Sequence, residues 1–121
     1  IYFDMDFLYQ KFLTYGDYAV VTILAHEWAH AAQFQLGQQE LSIWTENQAD
    51  CLCGAYTKAA KENRQSIRLD EGDIEEAEQL LFNIGSSHPD WASNGAHGSS
   101  NQRLNNFRKG LVYGLQSCFT K

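Results

Sequence analysis

Residues 18–36, YAVVTILAHEWAHAAQFQL, run without glycine or proline and carry one formally charged side chain, Glu27. Gly16-Asp17 ahead of the run reads as a break and an N-cap, and Gly37 behind it as a C-cap. The pattern predicts one long, largely buried helix over 18–36. His26 and His30 are four residues apart, so their imidazoles stand on one helix face, one turn from each other. Two ring nitrogens placed that way can reach one tetrahedral zinc ion at about 2.0–2.1 Å. Glu27 lies about 100° further round the helix, able to hydrogen-bond a metal-bound water without ligating the metal. A bland alternative makes all three ordinary surface polar residues. The apolar setting weighs against it, because a carboxylate there is costly unless a cation or polar network faces it.

A catalytic zinc needs a third protein ligand. The metzincin continuation asks for Gly and His three and six residues after the second His, where this chain has Gln33 and Leu36. The better candidate is Glu46 within Glu46-Asn47-Gln48-Ala49-Asp50 on the next predicted helix. Glu46 and Asp50 are an i,i+4 pair, so both carboxylates look the same way. In this arrangement Glu46 closes the site, and Asp50 accepts the free ring N–H of a ligand histidine, His26 first, fixing its tautomer. Gly54, near the same face, permits close helix packing. An exposed acidic stripe is the alternative for the pair, and His88 or His97 the alternative third ligand.

The rest of the chain is built mainly from helices. Ile1-Tyr2-Phe3 reads as a short strand and Met5–Leu13 as a short helix. A helix from Leu41 or Trp44 to Lys61 follows the long one, then a loop over 63–69. Asp70 is placed to cap a helix from Glu71 to Ile84. Residues 88–98, with Pro89, Gly95 and Gly98, read as a surface loop, and a last helix spans Ser99–Leu115. Six acids crowd Asp70–Glu78. They lack the calcium-loop pattern, and acids in a first helical turn suit the helix dipole, so a solvated face is expected.

At 121 residues the chain is expected to be one domain. It opens on Ile1, so we read it as an excised or processed piece lacking upstream residues. Nine basic against fifteen acidic residues give a net charge of −6, which argues against nucleic acid or an anionic membrane as partner. No apolar run approaches the ~20 residues needed to cross a bilayer. Of three cysteines, Cys51 and Cys53 lack zinc-ribbon spacing. A Cys51–Cys118 bridge would be worth roughly 4 kcal/mol by the chain-entropy model, and three buried thiols are the alternative.

Several blocks occur in the order found in one family: Ile1–Asp4, Gly16–Ala19, His26–Gln33, Glu46–Cys51, Glu71–Ala77, His97–Arg103 and Cys118-Phe119. Over nearly its whole length the chain resembles the bacterial neutral zinc metallopeptidases, the YpfJ-like proteins. The resemblance implies a mainly α (α+β), zincin-like core with an active-site helix, a glutamate helix and a reduced or truncated sheet. It implies Glu46 as third zinc ligand, a Cys51–Cys118 bridge outside the cytoplasm, and a membrane anchor upstream. Cys53 stands as an additional cysteine beside that pattern. A similar His-to-Arg spacing follows the glutamate helix in integral-membrane relatives. It suggests His97 as an oxyanion stabiliser and Arg103 as a residue steadying Asp50 or the transition state.

The expected chemistry is peptide-bond hydrolysis on one zinc ion held by His26, His30 and Glu46, with Glu27 as general base and a peptide or protein as substrate. Two alternatives share these residues: a zinc amidase or deacetylase acting on a non-peptide bond, and a non-catalytic module around a structural zinc. The second would be favoured by a fourth protein ligand such as His88 or Cys53.

Overall fold

The computed structural model describes residues 4–38, 42–62, 67–84 and 99–120. Five helices occupy them: α1 (Met5–Tyr15), α2 (Asp17–Gln35), α3 (Ile43–Lys61), α4 (Asp73–Ile84) and α5 (Ser100–Tyr113), followed by a 3-10 turn over Leu115–Phe119. No β-strand occurs among the described residues. The strand expected at Ile1–Phe3 and the loop expected at 88–98, with His88 and His97, lie outside them. Among the described residues no helix is long and apolar enough to cross a membrane.

Local sequence accounts for most helix ends. The Asp4 carboxylate accepts from the backbone of Asp6 and Phe7 at the start of α1. Ser42 with Thr45, and Ser99 with Gln102, form capping boxes at α3 and α5. α2 begins differently. Gly16 at its N-cap has φ +117° and supplies no side chain, and the orphan N–H of Tyr18 donates to Glu76 Oε1 of α4 at 2.9 Å.

That contact revises the expectation for the acidic run. Glu71 and Glu75 are exposed, but Asp73 is buried and Glu76 faces the start of α2. α4 starts at Asp73 rather than Glu71, because Asp73 Oδ2 accepts from the Asp70 backbone N–H at 2.7 Å and closes a turn first. The last helix also stops early: Gly114, with φ +85°, ends α5 and starts the 3-10 turn.

The core lies in two groups. Leu8, Ala19, Ile23, Leu80 and Ile84 join α1, α2 and α4. Tyr18, Cys53, Ala77, Leu81 and Phe107 join α2, α3, α4 and α5. α3 makes its most extensive contact with α5. The two helices nearly touch at Gly54 and Gly110. A Cβ on Gly54 would fall on the Phe107 carbonyl, and one on Gly110 would fall on the Cys51 carbonyl. The Cys51–Cys118 disulfide, with Cα atoms 5.5 Å apart, ties the 3-10 turn to α3 and leaves Cys53 as a buried free thiol.

The glycine contact separates two effects of opposite sign. In an exposed helix, Gly→Ala gains about 1 kcal/mol of propensity. At Gly110 the added methyl meets rigid backbone, so Gly110→Ala should destabilise by about 1–3 kcal/mol, read from denaturant unfolding. A stabilised variant would contradict the close approach.

Candidate metal centre

α2 and α3 run antiparallel, and side chains pair along them in register. Tyr18 Oη bonds Thr57 Oγ1 at 2.8 Å, the Cys53 thiol donates to Thr22 O at 3.5 Å, and His26 faces Asp50. Further along, His30 faces Glu46, and Gln33 reaches Thr45 and Gln48. One face of α2 therefore puts both histidines against both carboxylates of the α3 pair. His26, Glu46 and Asp50 are at most 1% exposed, while His30 is partly open.

One ligand atom from each of His26, His30 and Glu46 falls within 4.8 Å of the others. The Nε2 atoms of the two histidines are 3.0 Å apart, with rings edge to face. Glu46 places Oε2 at 2.8 Å from His30 Nε2 and Oε1 at 3.4 Å from His26 Nε2. Two imidazole nitrogens and a carboxylate oxygen converging on one point are a donor set that suits zinc. Among the described residues no fourth His, Cys, Asp or Glu joins the group. Cys53 is turned toward Thr22, and burial pushes its thiol pKa up, away from the thiolate a metal needs.

The ring nitrogens on the far side have their own partners. His26 Nδ1 is 2.8 Å from Asp50 Oδ1, and His30 Nδ1 is 2.9 Å from Gln33 Oε1. Carboxylate and amide oxygens only accept, so both Nδ1 atoms carry hydrogen and both Nε2 lone pairs are aimed at the centre. Asp50 is held in turn by Arg103 of α5, which is fully buried and donates from Nε at 2.9 Å and from Nη2 at 2.8 Å. Burial works to raise the Asp50 pKa, but Arg103 first and His26 second hold it below the ordinary carboxylate value. Asp50 thus contributes stability that is present above about pH 4 and is lost as pH falls through its depressed pKa.

Glu27 is half-buried on α2, one residue past His26, and is not part of the converging ligand group. An apolar groove of about 390 Å³ is lined by Val21, Leu24, Ala25 and Trp28 of α2 together with Leu52 and Tyr56 of α3. His97 lies outside the described residues. The structure brings Arg103 to Asp50, and to within 3.5 Å of His26 Nδ1. Two members of the polar shell went unread in sequence, Gln33 and Gln48. Their only signal was position, since Gln33 follows His30 by three residues and Gln48 lies between Glu46 and Asp50.

A proton competes with a metal ion for the His26 Nε2 lone pair. Burial works to lower the His26 pKa, but the Asp50 charge and the bonds to Asp50 and Glu46 prevail and raise it to about 9. The stability contributed by charged His26 is full below its unfolded value of 6.5 and is lost as pH rises through about 9. A metal ion must displace that proton. Zinc uptake at about pH 7.5 should therefore release close to one proton from His26, falling to none above about pH 10, with affinity rising across that interval. Calorimetry in buffers of different ionisation enthalpy reads the release, and heats independent of buffer would contradict it.

A family model described as "Putative neutral zinc metallopeptidase" matches residues 35–120, which include Glu46, Asp50, Arg103 and both bridged cysteines but begin beyond the histidine pair. The chain is also 31% identical over 140 residues to the protein named "Uncharacterized protein YpfJ" in Escherichia coli K12, and equally to its namesake in Escherichia coli O6:H1. Each alignment covers 94% of this chain and 48% of the relative, so the chain spans about half the length of the curated relatives it matches. No solved structure matches it. With two thirds of its length under the family model and a metal-ligand cluster on two of its helices, the chain belongs to the putative neutral zinc metallopeptidase family.

Proposed function

We propose that this chain carries the catalytic centre of a zinc-dependent peptidase, with His26, His30 and Glu46 holding one zinc ion and Glu27 acting as general base. The observation that carries the reading is the convergence of ligand atoms from His26, His30 and Glu46 on one point, with the Glu27 carboxylate next in sequence to His26 but outside that group. A structural zinc site closes with four protein ligands, whereas a catalytic one keeps a position open. When bound, zinc would supply Lewis acidity, bringing the pKa of a coordinated water to about 7 and polarising a carbonyl.

The chain's own residues supply the remaining steps. Glu27 accepts a proton from the attacking water and returns it to the leaving amine nitrogen as the C–N bond breaks. Asp50 keeps the His26 ring in its ligating orientation, and Arg103 acts through Asp50, to which two of its nitrogens are bonded. For His97, six residues before Arg103 in the sequence, we propose a role in stabilising the developing oxyanion. The substrate would be a peptide or protein segment bound in extended form. The Cys51–Cys118 bridge supports a site of action outside the cytoplasm, where disulfides persist, with the full-length protein held at a membrane by an upstream segment.

In the full-length protein, Glu27→Gln should retain zinc at one ion per chain and lose about 10²–10⁴-fold in cleavage of a quenched peptide library. Undiminished cleavage with zinc in place would remove Glu27 from the mechanism. Hydrolysis of acylated small molecules with all peptides left intact would move the activity to a different bond.

A further inference from the structure

His26 and His30 are oriented by different means. Behind His26 stands a carboxylate, itself bonded to Arg103. Behind His30 stands Gln33, a neutral amide that is 4% exposed. An amide can turn over, exchanging its oxygen for its NH₂ group, and would then offer His30 a donor in place of an acceptor. In that state the His30 hydrogen would move to Nε2, and the lone pair aimed at Glu46 and His26 would be lost.

The surroundings of Gln33 prevent this. Its Nε2 donates to the Thr45 backbone carbonyl at 2.8 Å and to Gln48 Oε1 at 2.8 Å. Gln48 is fixed in turn, because its Nε2 donates to the Cys118 backbone carbonyl at 3.1 Å. Backbone carbonyls only accept and cannot turn over. Two of them, at Thr45 and Cys118, therefore set the direction of the whole chain of bonds: Gln48 donates to Cys118, Gln33 donates to Thr45 and Gln48, and His30 Nδ1–H donates to Gln33. The Cys118 carbonyl belongs to a residue that the disulfide holds against α3.

We propose that Gln33 is a positioning residue that fixes His30 as an Nε2 ligand, and that Gln48, anchored on the Cys118 carbonyl, keeps Gln33 from turning over. This rests on the reading of His30 as a zinc ligand. An amide oxygen selects the tautomer without adding a charge. The two histidines thus receive one anionic partner and one neutral partner, and the cluster is spared a third buried carboxylate.

Four variants test it, with zinc affinity measured by chelator competition and the histidine ring nitrogens of the zinc-loaded protein followed by ¹H–¹⁵N NMR. Gln33→Leu removes the acceptor and should weaken zinc binding about 10–100-fold, with loss of the protected His30 Nδ1–H signal. Gln33→Glu keeps an acceptor toward His30 while giving up both donor bonds. It should restore most of the affinity and the Nδ1–H signal even if the fold melts earlier. Gln48→Leu should produce a smaller loss than Gln33→Leu, since Thr45 still orients Gln33. A purely structural Gln33 predicts the reverse order, with Gln33→Glu no better than Gln33→Leu, and that result would overturn the proposal. So would wild-type affinity and an intact Nδ1–H signal in Gln33→Leu. His30→Ala separates the two levels. If it leaves zinc affinity unchanged, the ligand assignment itself falls and the proposal with it. If it abolishes binding while Gln33→Leu keeps wild-type affinity and the Nδ1–H signal, the positioning role alone is overturned.

Discussion

His26 Nε2, His30 Nε2 and the Glu46 carboxylate point at one another between α2 and α3, in a place where water can do little to screen them. Each imidazole has committed its other nitrogen as a donor, to Asp50 or to Gln33, so what faces the centre is lone pair and negative charge. Such an arrangement is stable only around something positive. Without a metal ion, the Asp50 charge first, and the bonds to Asp50 and Glu46 after it, raise the His26 pKa to about 9 despite complete burial. A divalent ion satisfies the same three acceptors at once. Asp50 and Arg103 neutralise each other one layer out, so the inner cluster keeps the surplus negative charge that attracts a cation.

Much of the remaining architecture holds these groups in the core. A buried guanidinium is costly by itself, and α5 can deliver Arg103 to Asp50 only because α5 lies almost backbone to backbone against α3. The reciprocal contacts of Gly54 and Gly110 permit that approach, and the Cys51–Cys118 bridge closes the same pair of elements from the chain end. The start of α2 is secured from another side, by Glu76 of α4. α2 is thereby fixed at its first turn by α4 and along its histidine face by α3.

The sequence shows the centre more clearly than its supports. The gap-free run over 18–36 and the i,i+4 spacings of His26/His30 and Glu46/Asp50 are local periodicities, and a helix turns them directly into faces. The structure accordingly has α2 over Asp17–Gln35 and α3 over Ile43–Lys61, with those four residues together. Gly54 was also legible as a packing residue, though its partner helix was not. What could not be read depends on tertiary register. Gln33 and Gln48 are unremarkable polar residues until α2 and α3 are paired and Cys118 is folded back on them. The acids of 70–78 look like a solvated face until α4 is laid against the uncapped start of α2, where Asp73 is buried and Glu76 takes up the Tyr18 N–H. Chain distance alone left Cys51 and Cys118 open between bridge and free thiols, and it was the family resemblance that implied the bridge the structure contains.

The central claim is that His26, His30 and Glu46 form a nitrogen- and oxygen-only cation site. X-ray absorption at the zinc edge of the zinc-loaded protein tests it most directly. The account predicts a first shell of nitrogen and oxygen at about 2.0–2.1 Å with the outer scattering of two imidazoles, and loss of one of those imidazoles in His30→Ala. Sulfur in the shell at about 2.3 Å, or a spectrum with fewer than two imidazoles, would contradict it.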